Sequence, residues 1–373
     1  MSALFSPLRL ADLELANRIV VSPMSQYSAE DGAANDWHLV HYGALANSGA
    51  GLMMVEATHV DPESRGTPAC LGLYTDAQEQ ALARVVATCR SVGQSALGLQ
   101  LNHSGRKASG NVPWAATRGP LTPEQGGWET VAASAIPFGE GFPTPRAATP
   151  EDLERIKTAF CDAARRALRI GFDVLEIHGA HGYFLHSFLS PLSNHRTDAY
   201  GGSFDNRVRY LIEIVQAVRD VWPAGKPLGM KVSSTDWDDA GWTIDDAVEL
   251  VRRLKAAGCD YVCMSSGATT ATTKVRIGPD YQTRFAQTVK QEVDICTWAV
   301  GLIHDPEHAE RLIADNWADA VTLARAFLDD PRWAVHAANR LGVEVKRPRT
   351  YGRAAPGAWP GAAKPDLAPA GKG

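Results

Sequence analysis

The stretch 149-TPEDLERIKTAFCDAARRALRIGFDVLEIHGAHGY-183 decides the fold, because it holds one complete helix followed by one strand. Residues 150–170 repeat apolar side chains at the helical period, and Thr149 followed by Pro150 is a typical helix start. Gly171 stands where a helix commonly ends in the left-handed conformation. Residues 173–178 are mostly apolar rather than alternating, which is typical of a parallel strand buried on both faces. The stretch therefore predicts a helix that leads into a buried parallel strand.

The same unit recurs along the chain. Strands are predicted at 18–22, 51–57, 96–101, 173–178, 228–232, 260–264, 296–300 and 319–323. The clearest helical segments are 76–91, 150–170, 205–221, 244–257 and 306–313. Gly49, Gly93 and Gly258 are placed as further left-handed helix ends. Eight strands alternating with helices predict an α/β fold, the (β/α)8 TIM barrel.

A doubly wound sheet is the rival architecture. A dinucleotide-binding sheet of that kind requires a GxGxxG motif after its first strand. Here the first predicted strand ends in Ser22-Pro23-Met24-Ser25, which cannot cradle a pyrophosphate in that way. The barrel is therefore preferred.

Three segments fall outside the repeating unit. Residues 6–17 are expected to form a short hairpin that plugs the N-terminal end of the barrel. Residues 103–149 form a long excursion rich in Gly, Pro and Trp after the third strand, expected to be a lid or small subdomain over the site. Residues 354–373 are mostly Ala, Pro, Gly and Lys, and we expect this tail to be disordered. The rest, 1–353, is predicted to be a single barrel domain.

The amino-acid composition limits the kinds of partner that the protein is expected to bind. Among 373 residues, 37 are Lys or Arg and 42 are Asp or Glu, which gives a formal net charge of −5. A nucleic-acid partner usually requires a basic excess, so none is expected. No apolar run approaches the ~20 residues of a membrane span, and the N-terminus does not resemble a signal peptide. The six cysteines include no CxxC pair, so we expect free thiols in a reduced, cytoplasmic protein.

In a TIM barrel the active site lies at the C-terminal ends of the strands. The fourth strand delivers His178, His181 and Tyr183 there, and their polar tips can converge on one small volume. The two histidines could be metal ligands together with Asp236, or they could be hydrogen-bond donors. The other strand ends offer Ser, Gln, Lys and Arg, which are poor transition-metal ligands. We therefore prefer donors and predict no metal.

Two further strand ends indicate an anion. Lys231 lies near the end of the fifth strand, and a cation that points into a barrel mouth requires a persistent anion, which a cofactor would supply. Gly301 and the pair Ala324-Arg325 follow the last two strands, where barrels usually hold phosphate. A salt-bridging Arg325 is the alternative.

Motifs along residues 3 to about 353 resemble one known family. They are Asn17-Arg18-Ile19, Ser22-Pro23-Met24, Asn35-Asp36-Trp37-His38, Val55-Glu56-Ala57-Thr58, Gln100-Leu101-Asn102-His103-Ser104-Gly105-Arg106-Lys107 and Glu176-Ile177-His178-Gly179-Ala180-His181-Gly182-Tyr183. The most specific run is Ser187-Phe188-Leu189-Ser190-Pro191 followed by Asn194, Arg196-Thr197-Asp198, Tyr200-Gly201-Gly202-Ser203 and Asn206-Arg207. With these residues the chain resembles the old yellow enzyme family of FMN-dependent ene-reductases, in its bacterial branch that is similar to xenobiotic reductases and thermophilic members.

The resemblance implies that FMN lies across the barrel mouth. The positions that match the family's FMN contacts are Ser22, Pro23, Met24, Ser25, Ala57 and Gln100 along the isoalloxazine, Lys231 at its N1/O2 edge, and Gly301, Ala324 and Arg325 at the phosphate.

The resemblance also implies a reaction. NADPH or NADH delivers hydride to FMN, and the hydride then leaves N5 for an activated alkene such as an enone, or for a nitro compound. His178 and His181 are implied to donate hydrogen bonds to the substrate oxygen. Tyr183 is implied to supply the proton, and Tyr27 to contact the substrate. Two half-reactions at one site predict ping-pong kinetics.

Three positions depart from the family pattern. Ser25 stands where this branch commonly has Cys, so we expect a different flavin potential. Lys231 stands where many relatives have Arg, and Ala324 where Gly precedes the phosphate-binding Arg. Near the C-terminus, Tyr351-Gly352-Arg353 resembles a segment that reaches a neighbouring subunit's site, which implies a homodimer or homotetramer with Arg353 against the substrate. A solvated basic tail is the alternative.

Other reactions stay open at this point. A flavin barrel could instead reduce nitrate esters, or dehydrogenate or demethylate amines, although larger relatives with amine activity carry clustered cysteines that this sequence lacks. A metal-dependent barrel hydrolase is the third hypothesis.

Overall fold

The computed structural model describes residues 2–117 and 119–362. Its strands are β1 Leu8–Leu10, β2 Leu13–Leu15, β3 Ile19–Val21, β4 Leu52–His59, β5 Ala96–Asn102, β6 Val131–Ala132, β7 Arg146–Ala147, β8 Val174–Gly179, β9 Leu228–Ser233, β10 Tyr261–Ser265, β11 Cys296–Val300 and β12 Ala320–Leu323. Its helices are α1 Asp36–Ala46, α2 Asp76–Val92, α3 Pro150–Ile170, α4 Phe184–Leu189, α5 Phe204–Val221, α6 Ile244–Ala256, α7 Thr283–Glu292, α8 Pro306–Ala314, α9 Arg325–Asp329 and α10 Trp333–Arg340. No helix among the described residues is both long and apolar enough to cross a bilayer.

Eight parallel strands close into a barrel, which confirms the predicted fold class. The order around the barrel is β3, β4, β5, β8, β9, β10, β11 and β12, and β12 pairs again with β3. Every predicted barrel strand is present, and its ends differ from the prediction by at most two residues. The helices between the strands cover the outside, as parallel strands require.

The helix ends show why the chain folds locally as it does. Thr149 caps α3 by accepting from the backbone N–H of Asp152, and Gly171 ends the same helix at φ 96°. The prediction of a left-handed Gly93 is wrong, because this residue ends α2 at φ −100°. Glycine is required there for space, since a Cβ atom would lie 2.4 Å from the Cβ of Ala46.

The hairpin predicted from residues 6–17 is present and closes the N-terminal end of the barrel. β1 and β2 pair antiparallel, and Leu8, Leu10 and Leu15 pack into one apolar cluster with residues of the barrel interior. In that cluster the rings of Tyr261 and Trp298 stack with centroids 3.7 Å apart. Side chains therefore fill this end of the barrel interior.

The excursion between β5 and α3 crosses the C-terminal side of the barrel. Buried Arg106 donates to the carbonyl oxygens of Ile136, Pro137 and Thr269, the last at 2.5 Å. Trp128 donates through Nε1 to the Glu63 carbonyl after β4. The segment is thus fastened to the loops that surround the mouth.

The tail predicted to be disordered begins at residue 354. Short 3-10 turns occur at Arg349–Ala354 and Pro360–Ala362. Residues 363–373 lie outside the described residues.

Candidate active site

A band of polar side chains crosses the inside of the barrel below its mouth. Gln100 Nε2 donates to Glu176 Oε1 at 2.6 Å, and Lys231 Nζ lies 3.9 Å from the same oxygen. The strand register explains the contact, because Gln100 pairs with Glu176 and His178 pairs with Lys231. Lys231 therefore has a permanent partner within the chain. Sequence reasoning expected a cofactor to supply the anion that Lys231 requires, and it did not consider Glu176 as that anion.

Glu176 is a carboxyl group enclosed in the barrel. Burial raises its pKa, while Lys231 and Gln100 oppose that rise. A buried carboxylate is tolerated when it is paired and hydrogen-bonded, as here. The sequence could have indicated this buried carboxylate. Apart from Asp173 at its first position, Glu176 is the one acidic residue of the predicted strand 173–178.

The two histidines predicted at the end of the fourth barrel strand face each other. Nε2 of His178 lies 3.3 Å from Nδ1 of His181, and the ring centroids are 5.0 Å apart at 73°. Nδ1 of His178 accepts the backbone N–H of Ala180, so its proton resides on Nε2. Nε2 of His181 lies 2.7 Å from the Ser265 Oγ at the end of β10.

A tight turn holds His181 in place. The residue adopts φ 60°, in the left-handed region that is costly for a non-glycine side chain. Its N–H donates to the Ser233 hydroxyl at 3.0 Å, and its carbonyl accepts from Lys107 Nζ at 2.8 Å. Backbone strain that the surroundings maintain is common at functional sites.

Both imidazoles are neutral at physiological pH. Burial, followed by the neighbouring His181 and Lys231, holds the pKa of His178 well below its usual range. Burial and then Lys231 act in the same direction on the pKa of His181. Each ring is therefore an N–H donor with one acceptor nitrogen rather than a cation.

Tyr183 lies beside the histidine pair. Its ring meets that of His178 edge-on, with centroids 4.8 Å apart. Its hydroxyl makes no hydrogen bond within the described part of the chain. Burial is the main factor that raises the pKa of Tyr183, so the phenol keeps its proton at neutral pH.

Lys107 also reaches this group from the excursion. Its Nζ lies 4.8 Å from the centroid of the Tyr183 ring and donates to the carbonyls of His181 and Ala268. Burial, with Arg106 next to it, lowers the pKa of Lys107 to about 7. Sequence reasoning assigned no role to this residue, because only the folded excursion brings it to the mouth.

Asp236, the metal ligand of the hydrolase hypothesis, is instead a buried hydrogen-bond acceptor. It is fully buried and accepts from the Ser190 hydroxyl at 2.5 Å, from the Trp242 N–H at 2.8 Å and from Thr269. His186 Nε2 lies 3.3 Å from its other oxygen. Within the described residues, no group of three or more His, Cys, Asp or Glu side chains could hold a metal ion.

The segment after β3 lines another side of the mouth. Ser22 donates its N–H to the Leu323 carbonyl, which joins this segment to β12. Buried Glu56 accepts from the Gln26 N–H at 2.8 Å and from the Tyr42 hydroxyl at 2.9 Å. This carboxylate, to which sequence reasoning gave no role, fixes the segment that contains the predicted residues. Pro23, Met24 and Ser25 are half-buried within it.

Two more predicted residues complete this side. Tyr27 is half-buried at φ 50°, and its ring meets exposed Trp114 of the excursion edge-on at 5.9 Å. Ala57 of β4 is buried and pairs in register with Gln100 of β5. Both therefore border the mouth.

A separate cavity of about 350 Å³ lies where a phosphate was predicted. Gly301, Ala324 and Arg325 line it together with Gln282. Gly301 has φ 125°, and a Cβ atom there would lie 2.8 Å from Gln282 Nε2. The fold thus brings the three predicted residues to one cradle with an exposed guanidinium at its edge.

Arg353 does not join these residues within one chain. It is exposed in the turn Arg349–Ala354. The guanidinium of Arg332 lies 4.7 Å from the centroid of the neighbouring Tyr351 ring.

The closed barrel thus brings the histidine pair, the buried Lys231 and the cavity lined by Gly301, Ala324 and Arg325 to its C-terminal side. The model of the NADH:flavin oxidoreductase / NADH oxidase family matches residues 3–344. The chain belongs to this family.

Relatives agree with this assignment. An NADPH dehydrogenase of Geobacillus thermodenitrificans is 43% identical over 354 residues, covering 94% of this chain and 98% of the relative. An NADH:flavin oxidoreductase of Gibberella zeae is 42% identical over 359 residues, covering 92% and 86%. The resemblance to the old yellow enzyme family is confirmed, and the protein is an FMN-dependent oxidoreductase that uses NAD(P)H.

Solved structures support the same conclusion. Morphinone reductase superimposes with a TM-score of 0.76 at 28% identity, covering 93% of this chain and 91% of that enzyme. Morphinone reductase bound to tetrahydroNAD gives a TM-score of 0.75 at 29% identity, covering 92% of each chain.

Proposed function

We propose that the protein reduces carbon–carbon double bonds conjugated to a carbonyl group. The observation that carries the proposal is the pair of imidazole nitrogens 3.3 Å apart beside the protonated phenol of Tyr183. Such a reduction adds one hydride to the β-carbon and one proton to the α-carbon. NAD(P)H and one proton are consumed, and NAD(P)⁺ and the saturated ketone are formed.

The residues present fit FMN. The cradle formed by Gly301, Ala324 and Arg325 suits its phosphate, because a left-handed glycine and a guanidinium are typical phosphate ligands. Lys231 and Gln100 offer donors towards the edge of the ring, and Ala57 and residues 22–25 offer the adjoining wall. When bound, FMN supplies hydride transfer between the nicotinamide and the acceptor.

The histidine pair has the task of binding the carbonyl oxygen. His178 carries its proton on Nε2. In the proposed substrate complex the Ser265 hydroxyl, which lies 2.7 Å from Nε2 of His181, turns from Gln282 to donate to that nitrogen, so the proton of this ring is on Nδ1. Two N–H groups then share one acceptor oxygen. Negative charge grows on that oxygen during hydride addition, so preorganised donors lower the barrier.

Tyr183 has the task of giving the proton. Its raised pKa keeps the phenol protonated until the α-carbon of the substrate takes up the proton. The Lys107 ammonium then stabilises the phenolate that remains. Solvent then returns a proton to Tyr183.

The test uses purified, FMN-loaded protein with NADPH or NADH and a panel of alkenes. We expect turnover with 2-cyclohexenone and formation of cyclohexanone, and none with unactivated cyclohexene. Nicotinamide oxidation by oxygen alone, with no ketone formed from any enone, would refute alkene reduction while leaving the flavin assignment intact.

We further propose a homodimer or homotetramer in which Arg353 reaches the site of a neighbouring subunit. Support comes from its exposed position outside the site of its own chain. Light scattering gives the mass, and Arg353→Ala should raise the KM for the alkene. A monomeric mass would refute the arrangement.

We also propose a cytoplasmic location. All six cysteines are free thiols, which is typical of a reducing compartment. Cell fractionation tests it, and recovery in a secreted fraction would contradict it.

A further inference from the structure

A second cavity, of about 820 Å³, lies on the rim of the mouth between the loops that follow β9 and β10. Its aromatic wall consists of Trp237, Tyr281, Phe285 and Trp317. Its volume falls in the range that binds small molecules and is more than twice that of the phosphate cradle. Nothing in the proposed alkene reduction uses it.

Three cations line this cavity. Lys274 and Arg276 are exposed, and neither makes an ion pair or hydrogen bond within residues 2–117 and 119–362. Arg284 lies 5.6 Å from the centroid of the Trp237 ring and 5.1 Å from that of Phe285, so its guanidinium is held against the aromatic wall. A cluster of cations beside an aromatic wall, in which the rings of Trp237 and Phe285 meet edge-on, is suited to a phosphorylated base.

The cavity carries carboxylates as well. Asp280 is engaged by His308 at 2.8 Å and by the Thr283 hydroxyl at 2.7 Å. Asp238 accepts from the Ala240 N–H. Asp239 lines the cavity as well, beside Asp238 and Asp280.

Contacts connect this cavity to the active site. Trp237 Nε1 donates to the Ser266 hydroxyl at 2.9 Å, and Ser266 donates to Gln282 Oε1 at 2.7 Å. Gln282 lines the phosphate cradle, and the adjacent Ser265 lies against His181. Tyr281 lines both cavities. The second cavity is therefore a direct neighbour of the phosphate cradle and of the residues that hold His181.

We propose that this cavity binds the adenosine half of NADPH, with the 2′-phosphate held by Lys274, Arg276 and Arg284. The nicotinamide must enter the mouth to give up its hydride, so the other half of the dinucleotide lies on the rim. Other exposed cations near the mouth serve other contacts: Arg325 borders the phosphate cradle, and Arg65 packs over the Trp128 ring at 5.4 Å. The adenine then packs on the aromatic wall, and the enzyme prefers NADPH to NADH.

The inference rests on the use of NAD(P)H and not on alkene reduction, so its test avoids alkenes. The flavin-loaded protein is mixed anaerobically with NADPH or NADH, and the flavin absorbance gives a dissociation constant and a limiting rate. For Lys274→Ala/Arg276→Ala we expect the dissociation constant of NADPH to rise about 10- to 100-fold, with an unchanged limiting rate. The constant for NADH should stay the same, because NADH lacks the 2′-phosphate.

Arg9→Ala is the matched control, because it removes an exposed cation at the opposite end of the barrel, where Arg9 lies 3.9 Å from Asp12 and donates to the Ala11 carbonyl. It should leave both constants unchanged. An equal change for NADPH and NADH in the double variant, or no change for either, would overturn the proposal.

Calorimetry gives a readout that does not depend on turnover. Adenosine 2′,5′-bisphosphate should bind the natural protein at least tenfold more tightly than adenosine 5′-monophosphate, and the double variant should lose that difference. Equal binding of the two nucleotides would contradict the site. If inorganic phosphate at the same concentration displaced the bisphosphate, the cavity would be a simple anion site. That result would also contradict the proposal.

Discussion

Nε2 of His178 lies 3.3 Å from Nδ1 of His181, and both rings meet the ring of Tyr183 edge-on. The relationship follows from their spacing. His178 ends β8, and the left-handed His181 turns the chain back so that the second ring meets the first. Two neutral rings at this distance can bind one oxygen atom together, which is what an enone requires and what a simple dehydrogenation does not.

His178→Ala should abolish most alkene reduction and keep the flavin. Removing one donor to a developing oxyanion typically costs about 100-fold or more in rate. The measurement is kcat/KM with 2-cyclohexenone, alongside the flavin content of the purified variant. His336→Ala is the matched control, since His336 is exposed and pairs with Asp330 away from the site. Full turnover by the His178 variant would refute its role as a donor to the substrate oxygen.

Ser265→Ala should weaken alkene reduction without touching the substrate directly. In the proposed substrate complex the Ser265 hydroxyl, 2.7 Å from Nε2 of His181, donates to that nitrogen and keeps the ring proton on Nδ1. Losing it should lower kcat by roughly 10-fold, and Ser265→Thr should restore most of the rate. Nitrogen NMR of the imidazoles reports the tautomer of His181. If the tautomer is the same with and without the hydroxyl, Ser265 does not position the ring.

Lys107 should impose a pH dependence. Its pKa of about 7 means that the ammonium is present below pH 7 and is lost as the pH rises through that value. Because the charge 4.8 Å from the Tyr183 ring stabilises the phenolate, the rate of alkene reduction should fall above pH 7 by about fivefold. Lys107→Met should give a flat and lower profile from pH 6 to 9. An unchanged inflection in this variant would assign the titration to another group.

The pair formed by Glu176 and Lys231 should show strong coupling in stability. Lys231→Met leaves the buried Glu176 without its cation, which should lower the free energy of unfolding by about 3–5 kcal/mol. Glu176→Gln/Lys231→Met removes both charges and should recover most of that loss. Urea denaturation of flavin-free protein measures the free energies of unfolding of both variants without a contribution from cofactor binding. A double variant that is no more stable than Lys231→Met would show that the two charges are not coupled.

Ser25→Cys should shift the midpoint potential of the bound flavin. We expect this because the segment that contains Ser25 is fixed at the mouth by Glu56, and a polarisable thiol there changes the surroundings of the ring. Spectroelectrochemical titration of the two proteins gives the difference. Identical potentials would place residue 25 away from the flavin.

The barrel strands were predictable because a parallel strand buried on both faces leaves an unbroken apolar run in the sequence. Helices without a polar face were harder to predict. All six residues of α4 are buried, and α1 buries His38 while Val40 is 72% exposed. Their residues do not divide into an apolar and a polar face, so the helical period is hidden.

The site was predictable only where it follows directly from strand ends. That rule indicated His178, His181, Tyr183 and Lys231, and the structure brings them together at one mouth. Ser265 reaches His181 across 84 residues, and Lys107 arrives from the excursion. Ser265 follows the predicted strand 260–264, so the strand-end rule could have indicated this residue, but its contact with His181 and the position of Lys107 depend on the closed barrel.

The most direct measurement is a single turnover without oxygen. The flavin-loaded protein is reduced by one equivalent of NADPH and then mixed with 2-cyclohexenone in natural and Tyr183→Phe forms. Alkene reduction with Tyr183 as the proton donor predicts one cyclohexanone per flavin in the natural protein, and a reaction slowed by about 100-fold in the variant. Equal rates in the two proteins, or oxidation of the flavin without cyclohexanone, would contradict it.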